Sequence, residues 1–410
     1  MDFTVIASRL NAVLEQLKTD ASLKEKAQKV NFLHGSAPQV TADVLEKITP
    51  FARVAVVAPD GKNEGLWIKL TGEMRKRGLK PVSVLFPSDF SLDVDSVCGM
   101  FNLAEDVRAA VVFDDNLYSA AYYFAAVKGL PCIAVVNDLC AKGVLQNPVF
   151  IKNSDRLETF AVDIPRYIVL EEQEVADKNQ AKAFAHLCSA LVGLADYRFN
   201  NTVTREAPIK AAYDLLRTAV LGGFTIIKDK TGINEKLIFN RMLSEIADYL
   251  TDGKLVTLSA PSISEYIFSG KFNGDCGAAL ASACVIAEAY KSYVSNDCEE
   301  LVFAPDYTER AKALNELIGI NETEILKNYR IQSNKKVARK VKINELRQKL
   351  SQEITYFPTI LAGALDEYKN LGGQTVIDTK KLSTAVKLSG DLPFYINGMS
   401  LLRETGYIKE

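Results

Sequence analysis

The sequence predicts an α/β protein in which an N-terminal Rossmann-like domain with a parallel sheet precedes a mainly helical domain. At 410 residues the chain is longer than one hydrophobic core usually supports. Residues 53–136 alternate short, β-branched apolar runs with amphipathic stretches, which is the order of βαβ units. After Leu170 the strand pattern fades and helical periodicity takes over. We therefore place the domains at residues 1–173 and 174–410.

The strands of the first domain are predicted from short apolar runs that end at turn residues. The first run, Arg53–Ala58, is followed by the turn Pro59-Asp60-Gly61. The other predicted strands are Pro81–Phe86, Arg108–Phe113, Cys132–Val136 and Arg166–Leu170, and the helices between them are Leu66–Arg77 and Tyr118–Lys128. His34 precedes these runs, in a segment that we interpret as an early turn. A parallel sheet of this kind binds ligands beyond the carboxyl ends of its strands.

The second domain is predicted from apolar residues that recur with helical spacing. The predicted helices are Ala181–Phe199, Ala207–Leu221, Glu235–Leu250, Gly277–Tyr293, Thr308–Leu317 and Ile343–Phe357. Between Lys335 and Lys349 seven basic residues meet one acid, Glu345. Apolar residues at helical spacing run through the end of this segment, so we interpret its lysines as a solvated helix face and predict no nucleic-acid partner.

Composition excludes several classes of protein. The chain has 49 basic and 51 acidic side chains, so its formal net charge of -2 does not favour nucleic acid or an acidic membrane as a partner. No apolar run is long enough to cross a bilayer. Seven cysteines without a CxxC pair favour reduced thiols and a cytoplasmic location. The only histidines are His34 and His186, which restricts any catalytic zinc or iron site, because such sites usually draw two or three imidazoles.

Three segments carry a resemblance to a known family. They are the turn Ala58–Gly61, the helical stretch Ser189–Tyr197 with its Ala-Asp-Tyr ending, and the C-terminal stretch Leu382–Gly406. Over residues 28–410 the chain resembles the glycerol-1-phosphate dehydrogenase branch of the iron-containing alcohol dehydrogenase and dehydroquinate synthase superfamily. The resemblance implies a Rossmann-like domain that holds a nicotinamide nucleotide and a helical domain that holds a metal ion.

The nucleotide positions implied by the resemblance are altered. The family has a Gly-Gly-Gly-Ser turn after the third strand, where side chains would block the cofactor phosphates. This chain has Asp114 and Asp115 there, whose carboxylates would repel a pyrophosphate. The other interpretation is that these acids, or Asn116, cap the N-terminus of the following helix. The degenerate nucleotide positions are Asp60, Gly61, Asp114, Asp115, Asn116 and Ser119.

The metal positions implied by the resemblance are altered as well. The family's aspartate and two histidines fall at His186, Tyr266 and Asn273. A neutral phenol and a carboxamide are poor ligands for a divalent cation, so we expect an empty site. Two other interpretations remain. Glu265 and Asp275, which neighbour these positions, could form a replacement oxygen site with His186, or His186 could have a structural role inside an apolar helix.

A replacement acid or base for catalysis would have to be Tyr266, His186 or Lys271, and no catalytic residue is assigned. The chain contains no Walker loop, no Gly-x-Ser-x-Gly elbow and no HExxH motif.

The sequence therefore predicts a dehydrogenase-like protein without metal-dependent activity. We expect it to bind a small molecule in the cleft between the domains or to serve as a partner subunit, with no cofactor and no membrane association. Homo-oligomerisation is left open. The alternative is an active polyol-phosphate dehydrogenase that uses NAD(P) and zinc or iron, and a remote alternative is a lyase of the dehydroquinate synthase kind.

Overall fold

The computed structural model describes residues 3–408 except 62–63, 88–91, 104–105, 114–116, 172–178, 229–230, 271–273, 297–300, 303–307, 328–339, 342, 356, 375–377, 392–396 and 405. Contacts between residues divide the chain into two compact units. The first comprises Met1–Asn179 and Gly232–Glu245, and the second comprises Gln180–Thr231 and Ile246–Glu410.

The first unit is built on a six-stranded sheet in which every pairing is parallel, in the order β1-β8-β5-β4-β2-β3. The strands of the chain are β1 (Asn31–Gly35), β2 (Arg53–Pro59), β3 (Lys80–Phe86), β4 (Ala109–Val112), β5 (Cys132–Val136), β6 (Val149–Asn153), β7 (Arg156–Phe160), β8 (Tyr167–Glu171), β9 (Leu301–Val302) and β10 (Lys340–Val341). The pairs β6–β7 and β9–β10 are antiparallel and separate from the main sheet. The predicted parallel sheet is confirmed.

Helices flank the sheet and dominate the rest of the chain. They are α1 (Phe3–Leu17), α2 (Lys24–Gln28), α3 (Ala37–Ile48), α4 (Glu64–Lys76), α5 (Val94–Leu103), α6 (Tyr118–Lys128), α7 (Gln180–Thr204), α8 (Lys210–Lys228), α9 (Ile233–Leu250), α10 (Ala260–Ser269), α11 (Cys276–Ser295), α12 (Thr308–Ile318), α13 (Ile343–Ile354), α14 (Phe357–Leu361), α15 (Ala364–Asn370), α16 (Thr379–Leu388) and α17 (Met399–Glu404). Residues 322–327 are also helical. None of the described helices has the length and apolar character needed to cross a bilayer.

The central strands are apolar on both faces because both faces of the sheet are covered. β4 and β5 are buried at every residue, and β2 is buried from Val54 onward. Parallel sheets covered on both sides need such continuous apolar runs, which is why these strands were predicted. The strand β3 lies at one edge and has exposed positions at Lys80, Ser83 and Leu85.

The interpretation of His34 as part of an early turn was wrong. His34 lies in β1, which pairs in parallel with β8 at the other edge of the sheet. The side-chain amide of Asn11 in α1 donates to the carbonyl of Phe32 (2.8 Å) and accepts from its backbone N–H (3.0 Å). Helix α1 therefore supplies hydrogen bonds to the outer edge of β1. The strand has only five residues, two of them Asn31 and Gly35, so its local pattern was weak.

The second unit is helical, as predicted, and its longest helix is the 25-residue α7. α7 packs against α8, α10, α11 and α13. At Gly193 the helix approaches another segment so closely that a Cβ atom there would lie 1.8 Å from the carbonyl oxygen of Leu255. Glycine is therefore required at this contact.

Candidate functional site

The turn after β2 lies where a parallel sheet binds ligands. The backbone N–H of Asp60 donates to the carbonyl of Phe86 (2.7 Å), and the Asp60 side chain is exposed. Gly61 has φ +68°, a conformation that favours glycine. The chain proceeds from β2 to β3 on one side and returns to β4 on the other, so the topological switch point lies between β2 and β4. Of the predicted nucleotide positions, Asp114, Asp115 and Asn116 lie outside the described residues.

Two tyrosine hydroxyls of helix α6 form hydrogen bonds with strand β5 and with the loop that follows it. The hydroxyl of Tyr118 donates to the carbonyl of Val135 (2.9 Å), and that of Tyr122 donates to the carbonyl of Val144 (2.8 Å). Ser119, the last predicted nucleotide position, lies in the first turn of α6, where its hydroxyl is 3.5 Å from Oε1 of Gln146. These bonds hold the start of α6 beside the carboxyl end of β5. The capping role suggested for the acids before α6 stays a prediction.

The loop after β5 is buried from Leu139 to Gln146 and is held by two residues of α9. Arg241, which is fully buried, donates to the carbonyl of Ala141 (3.0 Å) and to Oε1 of Glu245 (2.9 Å). Oε2 of Glu245 accepts the backbone N–H of Gly143 (3.0 Å). The sequence reasoning missed this arrangement, because nothing local to either segment connects the loop to α9.

Two of the three metal positions that the resemblance implies lie on packed helices of the second unit. His186 lies on α7 and is 2% exposed, and Tyr266 lies on α10 and is 6% exposed. Burial raises the pKa of Tyr266 to about 12, so its phenol stays neutral at physiological pH. Asn273 lies outside the described residues. Convergence of the three positions around one point therefore stays a prediction.

The two acids beside these positions bind backbone groups at the start of α11. Oε1 of the fully buried Glu265 accepts the backbone N–H of Asp275 (3.0 Å). Oδ1 of Asp275 accepts the backbone N–H of Ala278 (3.0 Å) as the N-cap of α11. Within the described parts of the chain, no group of three or more His, Cys, Asp or Glu side chains could hold a metal ion. With one imidazole and one neutral phenol, the described residues at the metal positions implied by the resemblance do not fit a catalytic zinc or iron.

One buried carboxylate accepts hydrogen bonds from several segments of the second unit. The sequence analysis noted it only within the Ala-Asp-Tyr ending of a helical stretch. Asp196 is fully buried and accepts hydrogen bonds from the Tyr290 hydroxyl (2.6 Å), Ala260 N–H (2.7 Å) and Gly398 N–H (3.1 Å). Burial raises its pKa to about 6, against the opposing effect of these donors. A lone aspartate within an apolar helix was the available signal for a buried, hydrogen-bonded acid.

A second buried acid joins three helices. Glu353 on α13 is fully buried and accepts from Arg198 on α7 (2.7 Å) and from Arg217 on α8 (2.6 Å). The guanidinium of Arg198 also lies over the ring of Tyr213, 4.7 Å from its centroid. The two arginines share one carboxylate, so Glu353 fixes the positions of both helices relative to α13.

No protein-family model and no curated protein sequence matches this chain. Its fold is similar to that of solved dehydrogenase structures at low sequence identity. A mutant of the archaeal halo-thermophilic Red Sea brine pool alcohol dehydrogenase ADH/D1 is 14% identical with a TM-score of 0.55, covering 92% of this chain and 96% of that one. The iron-containing alcohol dehydrogenase from Thermococcus thioreducens is 10% identical with a TM-score of 0.53, covering 93% and 99%.

Glycerol dehydrogenase from Schizosaccharomyces pombe is 12% identical with a TM-score of 0.53, covering 84% of this chain and 92% of that one. The chain therefore has the fold of the iron-containing alcohol dehydrogenases and glycerol dehydrogenases.

Proposed function

We propose that this chain is a divergent glycerol-1-phosphate dehydrogenase-like protein without metal-dependent activity, which acts as a small-ligand-binding or partner subunit. The proposal rests on one observation: the carboxylates beside the metal positions accept hydrogen bonds from backbone N–H groups. Glu265 and Asp275 together hold the start of α11. Recruiting them to a cation would take the acceptors away from part-buried hydrogen bonds, at a cost of about 0.5–1.5 kcal/mol for each bond lost.

The remaining groups at these positions are poorly suited to replace a metal ion in alcohol oxidation. Removing a hydride from an alcohol needs a group that stabilises the developing alkoxide, which a metal ion supplies as a Lewis acid. The phenol of Tyr266 has a pKa of about 12, so burial opposes its ionisation. His186 is an imidazole on an otherwise apolar stretch of α7. These properties support binding over redox catalysis.

The second candidate is an active NAD(P)-linked polyol-phosphate dehydrogenase. It is favoured by the turn Asp60-Gly61, which follows β2 at the switch point of the sheet. That turn places backbone groups where such a fold can take a nucleotide. Under this candidate the metal and the cofactor phosphates would be held by residues other than those in the family's pattern.

The two candidates are separated by measuring metal content and turnover on the same preparation. The protein is produced with added iron and zinc, analysed for bound metal, and assayed for NAD(P)-dependent oxidation of glycerol 1-phosphate. We expect metal far below one ion per chain and no turnover. Stoichiometric metal that is lost in His186→Ala, together with turnover, would overturn the proposal. The matched control is Thr71→Ala, which alters a buried polar residue on α4 in the first unit.

A further inference from the structure

The loop after β5 contains a backbone arrangement that binds anions. The N–H groups of Gly143 and Leu145 both point at Oε2 of Glu245, at 3.0 and 3.4 Å. Gly143 has φ +82°, which allows the chain to turn so that the two N–H groups face the same way. Backbone N–H groups that converge in this manner form a concave site for an oxyanion. Here the oxyanion is a side chain of the protein itself.

A buried guanidinium completes the donor set around this carboxylate. Arg241 is 0% exposed and donates to the other oxygen of Glu245, at 2.9 Å. It is held in place by donating also to Ala141 O (3.0 Å) and to the hydroxyl of Ser244 (2.9 Å). One guanidinium and two backbone amides are a donor set that recognises carboxylate groups, because charge-assisted hydrogen bonds are strong and directional.

The position of the loop argues for a ligand-binding role and not only for a structural one. It follows the carboxyl end of β5, the side of a parallel sheet on which ligands bind. Loops usually lie on the surface, yet this one is buried and carries polar side chains, with Lys142 4% and Gln146 8% exposed. Glu245 belongs to α9, so the acceptor comes from outside the loop.

We propose that the loop Leu139–Gln146 is a carboxylate-binding site occupied by the protein's own Glu245, which excludes external anions until that side chain leaves. Glu245 is thus an autoinhibitory contact in the first unit. A small carboxylate ligand would take its place between Arg241 and the N–H groups of Gly143 and Leu145. This inference does not depend on the metal positions, which lie in the second unit.

The experiment is chemical rescue of Glu245→Ala by sodium formate. Removing the carboxylate takes the acceptor away from the N–H groups of Gly143 and Leu145 and one of its acceptors away from Arg241. It also leaves a space of matching size, so we expect a lower melting temperature. Formate should raise that temperature by several degrees more than sodium chloride at equal ionic strength, because a ligand that binds only the folded state stabilises it. The wild-type chain should respond to the two salts equally.

Two control variants separate anion binding from general effects of salt or of a cavity. Leu243→Ala removes a buried apolar side chain from the same helix, so it should be destabilised without a specific response to formate. The double variant Glu245→Ala with Arg241→Met removes the guanidinium and should lose the response.

If Glu245→Ala does not fold, Glu245→Asp provides the test. Its shorter side chain should weaken the hydrogen bonds to Gly143 and Leu145 and accelerate amide hydrogen exchange at both residues by about tenfold. A tenfold acceleration corresponds to a local opening that costs about 1.4 kcal/mol less. Formate should reverse the acceleration. The proposal is overturned if formate has no specific effect on either variant, or if it stabilises the wild-type chain to the same extent.

Discussion

The hydroxyl of Tyr290 donates a 2.6 Å hydrogen bond to the buried carboxylate of Asp196. The same carboxylate accepts the N–H of Ala260 at the start of α10 and that of Gly398 just before α17. Asp196 therefore connects α7, α10, α11 and the C-terminal segment. Gly398 is required here, because a Cβ atom would lie 1.6 Å from the Tyr290 hydroxyl oxygen.

Asp196 should make the stability of the second unit depend on pH. Its pKa in the folded chain is about 6, raised from 3.8 by burial. The folded state therefore binds the proton more tightly, so the stabilisation is fully present below about pH 4 and is lost as pH rises through 6. Relative to Asp196→Asn, the free energy of unfolding of the wild-type chain should fall by about 2 kcal/mol from pH 4 to 7.

Denaturant titrations at several pH values measure this difference. The matched control is Asp214→Asn, which changes an exposed acid on α8 and should keep the wild-type pH dependence. If Asp196→Asn and the wild-type chain follow parallel curves, the assignment to Asp196 fails.

Replacing Gly193 by alanine should strongly destabilise the second unit. The added Cβ would lie 1.8 Å from Leu255 O, a backbone atom that cannot move without its segment. We expect a loss of about 3 kcal/mol or more in thermal or chemical unfolding. In Gly72→Ala on α4 the new Cβ meets nothing within 4 Å, so that variant should gain about 0.5–1 kcal/mol from better helix propensity. Equal effects of the two changes would contradict the close contact.

Removing the carboxylate of Glu353 should be costly, because it leaves two arginines without their shared partner. Glu353 is 0% exposed, whereas Arg198 and Arg217 are 22% and 32% exposed and keep some access to water. For Glu353→Ala we expect a loss of about 2–4 kcal/mol. Glu345→Ala breaks an exposed pair with Lys349 on the same helix and should cost about 0.5 kcal/mol or less. A small effect at Glu353 would show that the arginines find other acceptors.

Introducing the metal ligands that the resemblance implies should create metal binding without creating nucleotide binding. The triple variant His186→Asp, Tyr266→His and Asn273→His supplies one carboxylate and two imidazoles, a set that suits zinc or iron. Metal analysis after dialysis should detect an ion in the triple variant but not in the wild-type chain. The double variant that keeps Asn273 serves as the control and should bind more weakly. Failure of the triple variant to bind metal would show that the three positions do not converge.

The resemblance implies that Asp114 and Asp115 stand at the positions of the family's phosphate-binding glycines, so we expect the wild-type chain to bind NAD and NADP weakly. At close range in a partly desolvated site, like charges cost on the order of several kcal/mol. Calorimetric titration should therefore show tighter binding in the double variant Asp114→Gly with Asp115→Gly, by about tenfold for each 1.4 kcal/mol of repulsion removed. Asp106→Asn removes an exposed negative charge elsewhere in the first unit and should have no effect. Micromolar binding by the wild-type chain would favour the active-enzyme candidate.

The sequence by itself determined the parts of the fold that local pattern encodes. Strand β5, for example, was predicted at its observed limits, because a strand covered on both faces needs an unbroken apolar run. Helix α6 was also predicted at its observed limits, since Gly129 ends it in a left-handed conformation that glycine favours. The change from strands to helices in the second unit was predicted in the same way, from apolar residues that recur with helical spacing.

Only the tertiary structure decided which partners the polar residues find. Strand β1 exists because β8 and Asn11 satisfy its backbone, and neither is near it in sequence. The same holds for Asp196 and Glu353, whose donors come from distant segments. A buried carboxylate must find donors, but its own sequence neighbourhood does not say where they lie. Local patterns thus specify the elements, whereas long-range hydrogen bonds fix which acids are structural.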